Sequence, residues 1–197
     1  TEPGDRVLVI DNGIFGKGFA DFVKIYGGEP VLYTTDYRNP VDTAALEEYL
    51  KKDSSFKYAT VVHCDTPSGV INDVAEISRI LDRYGIMTVA DSVAGMFGQP
   101  LDCASSKIDI LCGGSQKALS APPGLTMVWV SDRSVQSDGR QEDSDSVFLR
   151  QHTCFQGLLR EQVVPVHYAD QRHNRTETGS GQFPRRRRCI RTSYEDR

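Results

Sequence analysis

The sequence has few cysteines, and their spacing suits neither metal binding nor a disulfide framework. Five cysteines occur among 197 residues, and no two of them form a C-x-x-C pair. Structural zinc sites and disulfide-rich folds depend on cysteines paired at short, repeated spacings. We therefore expect no metal site and a reducing, cytoplasmic location.

Long apolar runs are missing as well. No stretch approaches the roughly 18 apolar residues of a membrane-spanning helix, and the first residues lack the pattern of a signal peptide. We expect no membrane partner. Because the chain begins at Thr1 rather than at a methionine, we also expect residues to be missing upstream.

Lysine is absent from the last third of the chain, beyond Lys117. Residues 1–133 hold 12 Lys+Arg against 18 Asp+Glu, whereas residues 134–197 hold 11 against 9. The tail also contains the run PRRRR, which in other contexts indicates nucleic-acid binding. No aromatic stacking platform accompanies this run, so we expect no nucleic-acid partner.

Before residue 134 the apolar pattern alternates between short strands and amphipathic helices. The predicted strands are RVLVI (6–10), PVLYTT, YATVVHC (58–64), IMTVAD (86–91), IDILCGG and LTMVWVS. The predicted helices are GFADFVKIYGG, PVDTAALEEYLKK with Asp42 as its N-cap, and INDVAEISRILDRYG. Because helices of this length form crossovers between parallel strands, the predicted fold class is α/β with a mainly parallel sheet.

Four short segments fall where predicted strands end. They are DNGIFG (11–16), HCDTPSG (63–69), ADSVAG (90–95) and GGSQKALSAPPG (113–124). Ligands of parallel α/β sheets bind beyond the carboxyl ends of the strands. Taken singly, each segment has an ordinary structural explanation: Asp91 could cap a turn, Phe15 could be a core residue, and Lys117 could point to water.

Taken together, Asp91 and Lys117 match the requirements of pyridoxal phosphate. The lysine binds this cofactor covalently, and the carboxylate keeps the pyridine nitrogen protonated so that the ring can accept electrons. Small residues around Lys117 let a cofactor approach the backbone, and the Pro-Pro-Gly turn fixes the loop.

The same segments carry a family resemblance. Residues 4–133 resemble the class V aminotransferases of fold type I, most closely the alanine–glyoxylate and serine–pyruvate branch. The segments NGIFGKG, HCDTPSGV, VADSVAGMFG and GSQKALSAPPG are similar to the cofactor-binding segments of that family. The resemblance implies six cofactor contacts: Phe15 on the ring face, Thr66 at the phenolic oxygen, Asp91 at the pyridine nitrogen, Val93 beneath the ring, Gln116 at the phosphate, and Lys117 as the covalent attachment.

Two positions depart from the family pattern. Asp65 stands where glutamate is usual, and Pro67 replaces a small hydroxyl residue. Glutamine, rather than the histidine of the related cysteine desulfurases, precedes Lys117, which argues against desulfurase chemistry.

The resemblance also implies a fold and an activity. The fold is the large domain of a fold type I enzyme, with helices on both faces of the sheet, here incomplete. The activity is transfer of an amino group between a small amino acid, such as alanine or serine, and a 2-oxo acid such as glyoxylate or pyruvate. Lys117 and Asp91 are the implied catalytic residues, and the family forms homodimers. An aminoethylphosphonate–pyruvate transaminase, a lyase on the same scaffold, and an inactive fragment remain alternatives.

The resemblance divides the chain at Arg133. Residues 1–133 are expected to be the central part of the large domain, and residues 134–197 an aberrant, largely disordered tail. The first tail residues, SVQSDGRQ, can be encoded by a DNA sequence that also encodes AYKAMEGR when its reading frame is moved forward by one nucleotide. The same shift, continued with allowed codons, gives a sequence similar to the normal continuation of the family. We therefore expect the tail to be a frame-shifted translation.

Overall fold

The computed structural model describes residues 1–138 and 164–167 of the chain. The strands are β1 (Arg6–Asp11), β2 (Glu29–Thr34), β3 (Tyr58–Val62), β4 (Cys64–Asp65), β5 (Val70–Ile71), β6 (Met87–Asp91), β7 (Ile110–Gly114), β8 (Leu125–Val130) and β9 (Val164–His167). The helices are α1 (Ile14–Ile25), α2 (Thr43–Leu50), α3 (Val74–Arg83) and α4 (Asp132–Asp138).

Seven of these strands form one sheet in the order β2-β1-β3-β6-β7-β8-β9. Within this sheet, five neighbouring strands run parallel to one another: β2, β1, β3, β6 and β7. Strand β8 is antiparallel to β7, and β9 is antiparallel to β8. A separate two-stranded ribbon, β4 and β5, follows the end of β3. The predicted α/β class with a mainly parallel sheet is confirmed.

Helices cover both faces of the sheet. Successive residues of β1 point to opposite faces, and Leu8 packs in the cluster that contains Ile77 and Leu81 of α3. Val9 packs in a second cluster with Val23 of α1. Apolar burial on both sides therefore holds the strands in place and fixes the heights at which they end.

Helix α2 begins as predicted. The Asp42 side chain accepts hydrogen bonds from the backbone N–H groups of Ala44 and Ala45, each at 3.0 Å. These two bonds satisfy donors that the first turn of a helix leaves unpaired.

The structure differs from the predicted elements at two places near the site. Helix α1 begins at Ile14, four residues before the predicted start. The predicted strand 58–64 is interrupted at His63, where β3 ends and the chain bends into β4.

The predicted tail is described only in part. Helix α4 continues to Asp138, and β9 lies within the tail. The rest of the tail, residues 139–163 and 168–197, lies outside the described residues. The predicted disorder of the tail falls mostly on these residues and stays a prediction. None of the helices that the structure describes is both long and apolar enough to cross a membrane.

Candidate active site

The parallel strands bring four chain segments to one edge of the sheet. Strand β1 ends at Asp11, β3 is followed by His63, β6 ends at Asp91, and β7 ends at Gly114. Because these strands run in the same direction, their carboxyl ends and the loops that follow lie at a common edge. All six predicted cofactor-contact residues lie at these strand ends, in the loops that follow them or in the first turn of α1.

Asp91 is the most enclosed charged group among the predicted contacts. Its Oδ1 accepts a hydrogen bond of 2.9 Å from the backbone N–H of Val93. Burial raises the pKa of the Asp91 carboxyl above its usual value, the negative charge of Asp65 raises it further, and the Lys117 ammonium opposes this rise. Asp65 and Lys117 therefore both lie within electrostatic range of Asp91.

Lys117 lies on a loop that one buried serine closes. The side chain of Lys117 is exposed, whereas Ser115 is fully buried. The Ser115 Oγ donates to the carbonyl of Pro122 at 2.7 Å and accepts from the N–H of Leu125 at 3.3 Å. The Ser115 backbone bonds to Ala121 and Leu125 as well. These bonds join the two ends of the loop and hold the lysine at a fixed position beyond β7.

The lysine loop also touches the turn that follows Asp91. A Cβ placed on Gly98 would stand 3.0 Å from the Cβ of Ala118, the neighbour of Lys117. Gln116 is exposed beside the lysine, and Val93 is half-buried beside Asp91. The two catalytic candidates therefore belong to loops in direct contact.

Phe15 and Thr66 lie on the β1 and β3 side of the same edge. Phe15 is in the first turn of α1, and its side chain is 52% exposed. Thr66 is exposed on the loop that follows β4. The two segments meet because Gly13, two residues before Phe15, packs against Asp65, one residue before Thr66.

Asp65 carries a buried carboxylate in which only one of the two oxygens has a hydrogen-bond partner. It is 1% exposed, and its Oδ2 accepts bonds from the backbone N–H and the hydroxyl of Ser68. Its Oδ1 is buried and has no hydrogen-bond partner. Asp11 carries a second buried carboxylate nearby, and its bond from the Tyr37 hydroxyl raises the pKa of Tyr37 to about 12.

Several polar residues of the site carry no sequence signal that would reveal them. Ser115 is one such residue, and His63 with its partner Ser92 is another, joined by a bond between the His63 Nδ1 and the Ser92 Oγ of 2.8 Å. Asn12 and Asn72 both donate to the carbonyl of Val62, at 2.8 and 2.9 Å. Except for the bonds of Ser115 and Asn72, which span ten residues or fewer, these contacts join residues far apart in sequence, so local patterns do not predict them.

The residues present fit pyridoxal phosphate. A buried carboxyl group with a raised pKa favours a cationic hydrogen-bond donor as its partner, which a protonated pyridine nitrogen supplies. Lys117 offers an exposed amine on a loop that touches the turn after Asp91. Within the described residues, no group of three or more His, Cys, Asp or Glu is placed to bind a metal ion.

A second cleft lies at the opposite end of the strands, where β8 ends. It has a volume of about 450 Å³ and is lined by residues that include Lys107, Asp109 and Arg133. The Arg133 guanidinium pairs there with Asp82 and with the buried Asp109. The Arg133 guanidinium and these two carboxylates therefore form an ion-pair network at this end of the strands.

Comparison with known proteins identifies similar chains. The model of the aminotransferase class-V family matches residues 2–140. Pyridoxamine–pyruvate transaminase of Mesorhizobium japonicum is 37% identical over 135 residues, which make up 67% of this chain and 34% of that protein. 2-Aminoethylphosphonate–pyruvate transaminase of Bacillus cytotoxicus is 32% identical over 123 residues, 62% of this chain and 34% of that protein. The crystal structure of alanine–glyoxylate aminotransferase from Nostoc sp. matches with a TM-score of 0.74 at 21% identity, over 84% of this chain and 44% of that one.

The mainly parallel α/β sheet has the fold of the fold type I aminotransferases, the class to which the solved structures that it matches belong. Within that class, this chain belongs to the aminotransferase class-V family. The chain spans about a third of the length of the two named transaminases that it matches. The family resemblance drawn from the sequence is confirmed, whereas the roles of the six individual contact residues stay predictions.

Proposed function

We propose that the protein is a pyridoxal-phosphate-dependent transaminase that uses a small 2-oxo acid, pyruvate or glyoxylate, as amino acceptor. The observation that carries the proposal is the placement of Asp91 and Lys117 within electrostatic range on adjoining loops. Alanine and serine are the proposed amino donors, in line with the alanine–glyoxylate and serine–pyruvate branch.

Pyridoxal phosphate, when bound, supplies an aromatic ring that stabilises negative charge at the α-carbon of the substrate. The Lys117 amine would hold the cofactor through its aldehyde carbon. Once a substrate amine has replaced it there, the freed Lys117 amine would carry the proton that leaves the substrate α-carbon. The Asp91 carboxylate would accept a hydrogen bond from the protonated pyridine nitrogen. That bond offsets the cost of burying Asp91, which its raised pKa reveals.

The remaining contact residues hold the cofactor in place. Phe15 presents an exposed aromatic ring from the first turn of α1, and we assign it to one face of the pyridine ring. Val93 would lie against the other face. Thr66 would donate its hydroxyl to the phenolic oxygen, and Gln116 would bind the phosphate. Each of these side chains is at least partly exposed at the carboxyl edge of the sheet.

A second candidate activity is transamination between 2-aminoethylphosphonate and pyruvate. The relative from Bacillus cytotoxicus, which carries that name, favours it at 32% identity. Both activities share pyruvate as acceptor and differ in the donor. A donor screen that compares alanine with glyoxylate as acceptor, and serine and 2-aminoethylphosphonate with pyruvate as acceptor, therefore distinguishes them.

The proposal extends to assembly and location. We propose a homodimer, as in the family. We also propose a cytoplasmic location, which suits the three cysteines of the described part, Cys64, Cys103 and Cys112, all of them free thiols.

The experiment that tests the proposed function is covalent trapping on Lys117. Incubation of the chain with pyridoxal phosphate, followed by borohydride reduction, should attach the cofactor to the peptide that contains Lys117. Addition of alanine before the reduction should lower the trapped fraction, because the amino acid competes with Lys117 for the cofactor aldehyde. Peptide mass spectrometry measures both results.

The matched control uses the other lysine of that half of the chain. Lys117→Arg should abolish the trapped product, whereas Lys107→Arg, at the opposite end of the strands, should leave it unchanged. Trapping that persists in Lys117→Arg would exclude Lys117 as the attachment site.

A further inference from the structure

His63 connects the Thr66 loop to the strand end that carries Asp91. It is 4% exposed, at the bend between β3 and β4. Its backbone N–H donates to the carbonyl of Asp91 at 2.8 Å, and its carbonyl accepts from the N–H of Asn72 at 2.8 Å. The backbone of this one residue therefore bonds to the end of β6 that carries Asp91 and to Asn72, which directly follows the β4–β5 ribbon.

The His63 side chain reaches the turn that follows Asp91. Its Nδ1 lies 2.8 Å from the Oγ of Ser92, which is fully buried. The carbonyl of Ser92 in turn accepts bonds from the N–H groups of Gly95 and Met96. The bond from the histidine is therefore made to the residue that begins this turn.

Close packing locks the ring in this position. A Cβ built on Gly95 would lie 2.5 Å from the Nδ1 of His63, so only glycine lets the turn approach the ring so closely. Burial lowers the pKa of the His63 imidazole, against a weaker opposite effect of the Asp73 carboxylate. Burial therefore favours the neutral imidazole, which bonds to Ser92 without placing a charge beside Asp91.

We propose that His63 is a positioning residue for Asp91: through Ser92 it fixes the turn whose Val93 N–H aims the Asp91 carboxylate at the cofactor ring. This inference rests on the proposed function. It assigns to His63 a role that operates only on the contact between Asp91 and the pyridine nitrogen.

A pair of cofactors that differ at one ring atom isolates that contact. The first is pyridoxal phosphate, and the second is the analogue in which carbon replaces the ring nitrogen. The unmodified chain should bind pyridoxal phosphate more tightly than the analogue, and Asp91→Asn should remove the preference. His63→Leu and Ser92→Ala should each lower the preference by about three- to tenfold, the usual worth of one hydrogen bond.

Conservative and structural variants serve as controls. His63→Asn keeps a hydrogen-bonding group near the Ser92 hydroxyl and should retain much of the preference. Thr88→Val removes a buried hydroxyl without a partner from the same strand, β6. Thr88→Val should therefore leave the preference unchanged, whatever it does to stability.

A ligand-free measurement complements the binding data. In the cofactor-free chain, Ser92→Ala should speed hydrogen exchange at the Val93 amide, which donates to Asp91, because the turn is no longer held.

The outcomes separate the two proposals. If the unmodified chain shows no preference for the ring nitrogen, Asp91 does not contact it, and both the proposed function and this inference are overturned. If the preference exists but survives intact in His63→Leu and in Ser92→Ala, only the positioning role is overturned.

Discussion

Asp91 is costly to bury when no cofactor is bound. Burial, reinforced by the charge of Asp65, raises its pKa in the folded chain. A carboxyl group with a raised folded-state pKa loses stabilising free energy as the pH rises from its unfolded pKa through its folded pKa. Asp91→Asn removes this ionisation. The cofactor-free variant should therefore gain roughly 1 kcal/mol of stability near neutral pH.

Urea unfolding at two pH values measures this gain. The difference between Asp91→Asn and the unmodified chain should grow from about pH 4, where the unfolded carboxyl titrates, to neutral pH. Asp21→Asn is the matched control, because Asp21 is exposed on α1. A stability difference that stays constant over this pH range would contradict the assignment.

At the scale of single residues, the sequence predicts the charged groups of the site better than the groups that hold them. Asp91 and Lys117 stand out because aspartate and lysine are unusual at the ends of apolar strands. His63 does not stand out, because its partner Ser92 is 29 positions away and only the folded sheet brings the two together. Ser115 looks like an ordinary turn residue until its four bonds across the lysine loop are seen.

At the scale of elements, helix α1 shows how packing overrides local preference. Gly13, Gly16 and Gly18 lower the helix propensity of this segment, which is why the sequence predicts a later start. Burial of Val23 against Val9 and its neighbours favours the helical form. The helix consequently extends back to Ile14, and Phe15 belongs to its first turn instead of a loop.

Two glycines of this helix should respond in opposite directions to the same substitution. Gly13 has a φ of 154°, and a Cβ there would lie 2.5 Å from the Asp65 carboxylate. Gly18 has open space around its Cα. Gly18→Ala should therefore stabilise the chain by about 0.5–1 kcal/mol through helix propensity, and Gly13→Ala should destabilise it by about 1–3 kcal/mol through the clash.

Urea denaturation of the two variants, prepared in parallel, measures both free energies of unfolding. A stabilising effect of Gly13→Ala would mean that the Asp65 carboxylate does not pack against the start of α1.

At the scale of the whole molecule, the order of apolar segments predicts the α/β class, and four strand-end segments predict the edge that carries the site. The order of strands in the sheet does not follow from these patterns. It depends on which strand each crossover reaches, and β1, for example, lies between β2 and β3. The antiparallel direction of β8 cannot be predicted either, because an apolar run such as LTMVWV does not indicate in which direction its strand runs in the sheet.

The change of composition after Arg133 yields a prediction about the gene. We propose that residues 134–197 are translated one nucleotide out of the family's reading frame, with residues 1–133 as the central part of the large domain. Translation of the coding DNA from one nucleotide beyond the start of codon 134 should then give AYKAMEGR. Sequencing the gene across this point tests the idea directly. Several codons incompatible with that reading would refute it.

The lysine loop joins two adjacent antiparallel strands of the large sheet, whereas the parallel strands of the site, β1, β3, β6 and β7, are linked to one another by crossovers. β7 and β8 pair directly, from Ile110 with Val130 to Gly114 with Thr126. Closing such a short connection costs little chain entropy, and pairing between neighbours in sequence forms faster than pairing across long separations. During folding, Lys117 can therefore reach its final conformation before β1 and β3 have joined the sheet. The proposed covalent anchor of the cofactor is thus the part of the site that depends least on the assembly of the rest.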